Sequence, residues 1–107
     1  MAERVLIVED EAAIREILSE LLRDAGYEVD EAADGLEGVE KFRAGDYSLV
    51  LLDLMLPGLD GYGVCEIIRR ESSVPVIILT ARDDERSRVK AFELKAYDYI
   101  TKPFSLK

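Results

Sequence analysis

The chain has 107 residues, 49% hydrophobic and 35% charged, which suits one small domain with a core of its own and leaves no room for two. A formal charge of −9 argues against direct nucleic-acid binding, and no stretch approaches the roughly 20 apolar residues of a membrane helix. With no histidine and a single cysteine, the sequence excludes Ser-His-Asp triads, imidazole ligands, intrachain disulfides and thiolate zinc sites.

Residues 1–10 lack the basic start and long apolar middle of a signal peptide, so a cytoplasmic location is expected. Residues 5–8 form an aliphatic run that ends at Glu9, Asp10 and Glu11, so a buried strand meets carboxylates at its carboxyl end. Ile14, Ile17, Leu18, Leu21 and Leu22 recur at helical spacing, and Gly26 ends that helix as a C-terminal cap. Residues 27–32 alternate and are polar enough to predict an edge strand. Asp34-Gly35 turns the chain, and Leu36, Val39 and Phe42 give the next helix one apolar face up to Ala44-Gly45.

Residues 49–53 read Leu-Val-Leu-Leu-Asp, a strand buried on both faces and closed by Asp53, which is predicted to sit at the strand's mouth near cations and solvent. Pro57 and Gly58 turn the chain. Val64, Ile67 and Ile68 mark a helix that runs to Glu71, with Cys65 on its apolar stripe as a small core residue. Residues 76–79 are another aliphatic strand, with Thr80 at its end. Asp83 or Asp84 caps a helix with a thin stripe of Val89, Phe92 and Leu94. Residues 97–101 make a fifth strand, ending at Lys102-Pro103. Five strands alternating with four helices predict right-handed crossovers and a mainly parallel sheet. Residues 104–107 look like the opening of a further helix with Ser105 as N-cap, so we read 1–107 as one domain incomplete at its C-terminus, with dimerisation or domain swapping through the uncovered face.

In a parallel sheet Glu9, Asp10, Asp53, Thr80 and Lys102 share one rim, beyond the carboxyl ends of the strands, where ligands collect in open α/β folds. Converging carboxylates repel unless a hard cation holds them, and Mg²⁺ prefers a few such oxygens plus water. Lys102 supplies a point charge and Thr80 a hydroxyl for phosphoryl oxygens, and Asp53 is a carboxylate nucleophile able to form an acyl phosphate. Each residue alone is more often a cap, a turn or a solvated surface group. Together, each at a strand mouth, they point to a site.

Val-Glu-Asp-Glu at 8–11, Leu-Leu-Asp-Leu-Met-Leu-Pro at 51–57, Ile-Leu-Thr-Ala-Arg at 78–82 and Asp-Tyr-Ile-Thr-Lys-Pro-Phe at 98–104 closely resemble receiver domains of two-component response regulators. The nearest likeness is to the receivers of winged-helix transcription factors. The resemblance implies a flavodoxin-like, doubly wound parallel sheet of order 2-1-3-4-5. It implies a phosphoacceptor switch in which Asp53 takes phosphate from a phosphohistidine on a sensor histidine kinase. By the same resemblance Asp10, Asp53 and the Met55 carbonyl bind Mg²⁺ directly and Glu9 acts through water. Thr80 and Lys102 hold the phosphoryl oxygens, Tyr99 switches with Thr80, and Lys102-Pro103 is cis. The chain is then expected not to be an enzyme but a phosphoacceptor that catalyses its own phosphorylation and dephosphorylation. It departs from the family pattern at Arg86, Lys95 and Tyr97. The alternative left open is a receiver-shaped scaffold that only associates. An aspartate-nucleophile phosphatase is disfavoured by Met55, where such enzymes carry a second carboxylate, and a dinucleotide oxidoreductase by the missing Gly-x-Gly-x-x-Gly turn.

Overall fold

The structure, a computed structural model, describes residues 3–53, 56, 61–80 and 98–101, excluding the side chains of Thr80 and of 98–101. Its elements are β1 (Arg4–Val8), α1 (Ala12–Asp24), β2 (Glu28–Ala32), α2 (Gly35–Ala44), β3 (Leu49–Asp53), α3 (Gly61–Glu71), β4 (Val76–Thr80) and β5 (Asp98–Thr101). All strand pairings are parallel, in the order β2-β1-β3-β4-β5. This is the parallel sheet expected from the alternation of strands and helices, in the doubly wound, flavodoxin-like order that the family resemblance implies, with the polar β2 at an edge. The predicted helix from Asp83 or Asp84, the departures at Arg86, Lys95 and Tyr97, and any helix after Ser105 lie outside the described residues.

The aliphatic strands alternate between two cores. Leu6, Val8, Val50, Leu52, Val76 and Ile78 face one way, onto Val39 of α2 and Val64, Cys65 and Ile68 of α3. Val5, Ile7, Leu51 and Leu79 face the other way, against Leu18 and Leu22 of α1. A strand buried on both sides needs no polar alternation, which explains the continuous runs. Cys65 is fully buried, as its position on an apolar stripe predicts.

Two helix faces differ from the expectation. In α2 the buried positions are Gly35, Gly38 and Val39, and Leu36 is 64% exposed rather than part of the apolar face. The reason is Gly38, where a Cβ would meet the Val8 methyls at 2.9 Å. Glycine lets α2 lie close on β1 and turns Leu36 outward. Asp34 starts this helix rather than merely turning the chain: its Oδ1 accepts from the Glu37 N–H (2.8 Å), while Glu37 Oε1 accepts from the Ala33 N–H (2.7 Å). In α1 the side facing the sheet centres on Ser19, and Ile17 and Leu21 are 40% and 47% exposed. The end of α1 is as predicted. Gly26 has φ 99°, and the N–H groups of Gly26 and Tyr27 donate to Arg23 and Leu22 carbonyls, a Schellman closure.

Ser19 is 2% exposed, and its Oγ has no hydrogen-bond partner among the described residues. Hiding a hydroxyl without a partner costs stability, and alanine is the better helix former. Ser19→Ala is therefore expected to raise the unfolding free energy by about 1 kcal/mol, as read from urea unfolding midpoints.

Tyr47, just before β3, donates from its hydroxyl to Asp30 Oδ2 of β2 at 2.7 Å. Burial, followed by this bond to Asp30, pushes the phenol up to about 12. The neutral form is favoured by folding, so this stabilisation is complete below the ordinary tyrosine value near 10 and is lost as pH rises toward about 12. In an alkaline ultraviolet titration one of the five tyrosines should ionise near 12, and Tyr47→Phe should remove that step and flatten stability against pH in the same window.

Candidate metal centre

Strand register builds the site. Val8 lies opposite Leu52, so Glu9, one residue on, leaves β1 alongside Asp53 at the end of β3. Asp53 in turn pairs with Leu79, and Thr80 pairs with Thr101, the residue before Lys102. The carboxyl ends of β1, β3 and β4 thus share one rim, as the sequence predicts. One carboxylate oxygen from each of Glu9, Asp10 and Asp53 lies within 4.8 Å of the others.

Burial within this group is uneven. Glu9 is 0% and Asp53 1% exposed, while Asp10 is exposed. Asp53 is therefore more enclosed than a strand-mouth residue open to solvent, because β1 and β4 flank it on both sides. Acidic groups this close repel by about 3 kcal/mol per ionised pair at an effective dielectric near 20. A compact divalent cation suits the set. Oxygens about 2.1 Å from an octahedral Mg²⁺ stand roughly 3 Å apart when adjacent and roughly 4 Å when opposite, so carboxylates that lie within 4.8 Å of one another would draw closer or bind partly through water to share one ion.

The main chain of the turn is held from β2 and α1. The Glu9 N–H donates to the Ala32 carbonyl (3.0 Å), and the Glu11 N–H donates to Glu9 Oε2 (3.3 Å). Arg15 Nη1 donates to the Glu9 carbonyl at 2.7 Å, and its Nε lies 3.5 Å from Glu31 Oε1. Neither Arg15 nor Glu31 belongs to the set predicted from sequence. A charged residue in a helix or on an edge strand carries no signal that separates a solvated group from a brace.

Of the other predicted site residues, Thr80 ends β4 and Tyr99 lies within β5, opposite Ile78. Met55, Lys102 and Pro103 lie outside the described residues, so the Met55 carbonyl ligand, the lysine and the cis bond have no counterpart in the described structure. Among the described residues, no helix is long and apolar enough to cross a membrane.

A parallel sheet of this order with an acidic cluster on its carboxyl rim places the chain among the doubly wound α/β domains, in which ligands collect beyond the carboxyl ends of the strands. The chain belongs to the response regulator receiver domain family, whose pattern it matches over residues 5–107. It is 52% identical over 105 residues to the probable transcriptional regulator ycf27 of Porphyridium aerugineum, covering 98% of this chain and 44% of the relative. The chain thus spans less than half the length of this curated relative, a transcriptional regulator in keeping with the likeness to winged-helix regulators. Its fold matches the chemotaxis protein CheY4 of Vibrio cholerae with a TM-score of 0.92 at 30% identity, covering 98% of this chain and 90% of that one. It also matches the response regulator TrrA of Thermotoga maritima, solved in complex with Mg(2+)-BeF, with a TM-score of 0.86 at 40% identity, covering 96% and 89%.

One expectation is corrected. The chain was expected not to be an enzyme, but the family match and the relatives establish a receiver and assign no enzymatic status, so that exclusion is withdrawn.

Proposed function

We propose that the chain is the phosphoacceptor switch of a two-component system, in which Asp53 receives a phosphoryl group from a phosphohistidine on a sensor histidine kinase in the cytoplasm. The observation that carries this reading is the convergence of Glu9, Asp10 and Asp53 within 4.8 Å on the carboxyl rim of a receiver fold. Asp53 closes β3 and supplies the nucleophilic oxygen. Its attack forms the Asp53 O–P bond as the P–N bond to the imidazole breaks, and the electron pair returns to the ring nitrogen. The donor must bring the histidine, because this chain has none.

Asp10 and Asp53, with the Met55 carbonyl, are the direct Mg²⁺ ligands in this reading, and Glu9 acts through water. Mg²⁺, when bound, supplies counter-charge to the phosphoryl oxygens. Thr80 and Lys102 bind those oxygens, Tyr99 follows Thr80 in the output movement, and Lys102-Pro103 is cis. Residues 1–107 act as one receiver unit. Self-association belongs on the α1 side, where Ile17 and Leu21 are half-exposed, and light scattering over a concentration series checks it. The association-only scaffold is not favoured, since it has no use for an acidic cluster in which Glu9 and Asp53 are buried.

Titration with Mg²⁺ and then beryllium fluoride, a phosphoryl mimic, tests the reading. Amide resonances of Asp10, Asp53 and Thr80 should move in the wild type, and the fluoride response should be absent in Asp53→Asn. A wild-type spectrum unmoved by either addition overturns it.

A further inference from the structure

We propose that Arg15 is the positioning residue of the acidic site, holding the turn that presents Glu9 and Asp10 beside Asp53. The inference rests on reading Glu9, Asp10 and Asp53 as the cation site. It concerns a side chain that touches none of the reacting groups.

The Arg15 side chain is 19% exposed, against 44% for Arg4, 56% for Arg23, 57% for Arg43 and 72% for Arg70. An arginine this covered is held by its partners. Nη1 donates to the Glu9 main-chain carbonyl at 2.7 Å, and Nε faces Glu31 Oε1 at 3.5 Å. The planar fork fixes these two directions relative to one another, which a lysine cannot do.

Residue 9 is consequently gripped on both sides. Its N–H is tied to Ala32 and its C=O to Arg15, whose other nitrogen is braced by Glu31 on the same strand, β2. The start of α1 needs such a device. Glu11 occupies the N-cap position without a side-chain capping bond, so capping by residue 11 is not what fixes the turn between β1 and α1. The Glu11 N–H instead donates to Glu9 Oε2, so the Glu9 carboxylate and the turn move together. Without Arg15 the Glu9 carbonyl loses its charged donor, and the two carboxylates of the turn lose their fixed placement against Asp53.

Arg23 is the internal control. It lies on the same helix and faces the same Glu31, through Oε2 at 3.9 Å, but its main-chain contact is to Val29 and not to the turn. Two measurements on the 107-residue chain by nitrogen-15 NMR decide the matter: metal-free hydrogen exchange of the Glu11 amide, and a Mg²⁺ titration followed at the Asp10 and Glu11 amides.

Outer partners of metal ligands are commonly worth about 10- to 100-fold in affinity, so Arg15→Ala should weaken Mg²⁺ binding at least about tenfold and speed Glu11 exchange to a similar degree. Arg15→Lys, keeping the charge but losing the fork, should fall between Arg15→Ala and the wild type. Arg23→Ala should match the wild type in both readouts. Should Arg15→Ala fail to fold, Glu31→Gln removes the brace alone and is expected to give a smaller loss of about threefold in Mg²⁺ affinity.

Wild-type affinity in Arg15→Ala, or an equal loss in Arg23→Ala, overturns the proposal. If the wild type itself takes up no Mg²⁺, the cation reading fails separately. The Glu11 exchange rate then still decides whether Arg15 holds the turn, and an unchanged rate in Arg15→Ala counts against it.

Discussion

Incubation with acetyl phosphate and Mg²⁺ is expected to add one phosphoryl mass to the wild-type chain and none to Asp53→Asn. The carboxylate oxygen of Asp53 attacks phosphorus, the bond from phosphorus to the acetyl oxygen breaks, and acetate leaves with the electron pair. Asparagine fills the same volume at the end of β3 and keeps one acceptor oxygen, so the buried position survives while the anionic nucleophile is lost. Glu9 and Asp10 remain in that variant, which makes it a test of position and not of acidity alone. A mass gain in Asp53→Asn would move the acceptor to a neighbour, and no gain in the wild type would count heavily against the phosphoacceptor reading. Asp10→Asn keeps the acceptor but removes a charge from the cluster, and should slow the gain about tenfold or more if the acidic set works as a unit.

The second large effect is on stability. Leu52 is fully buried in the core shared with α2 and α3 and immediately precedes Asp53. Leu52→Ala should lower the unfolding free energy by about 3 to 5 kcal/mol, because the cavity is enclosed by β1, β4 and both helices and cannot collapse freely. A domain of this size has only about 5 to 15 kcal/mol in total, so the variant should show a clearly lower urea midpoint. Leu21→Ala is the comparison: Leu21 is 47% exposed, and its truncation should cost less than about 1 kcal/mol. Equal losses at the two positions would mean that the far side of α1 is covered in solution.

The fold was legible because four of the five strands are marked by periodicity or aliphatic runs and most turns by glycine, proline or aspartate. The rim was legible for the same reason: once the strands are parallel, whatever follows Val8, Leu52 and Leu79 must meet. The helix faces were less so. Leu36 reads as core by spacing alone, and only the close approach permitted by Gly38 sends it outward. Ser19 shows the opposite failure, a polar residue pressed to the sheet because its neighbours Leu18 and Leu22 are. The grip of Arg15 on the Glu9 carbonyl could not be read at all, since main-chain acceptors leave no trace in side-chain chemistry.

The position of β1 between β2 and β3 also orders events during synthesis. Glu9 and Asp53 are far apart in the chain and meet only when residues 5–8 align in register with 49–52. Until that long loop closes there is no acidic pocket, and closing it brings like charges together. A nascent or partly folded chain thus offers a phosphate donor an ordinary aspartate. In the phosphoacceptor reading, competence to accept phosphate arrives with the completed central pairing of the sheet.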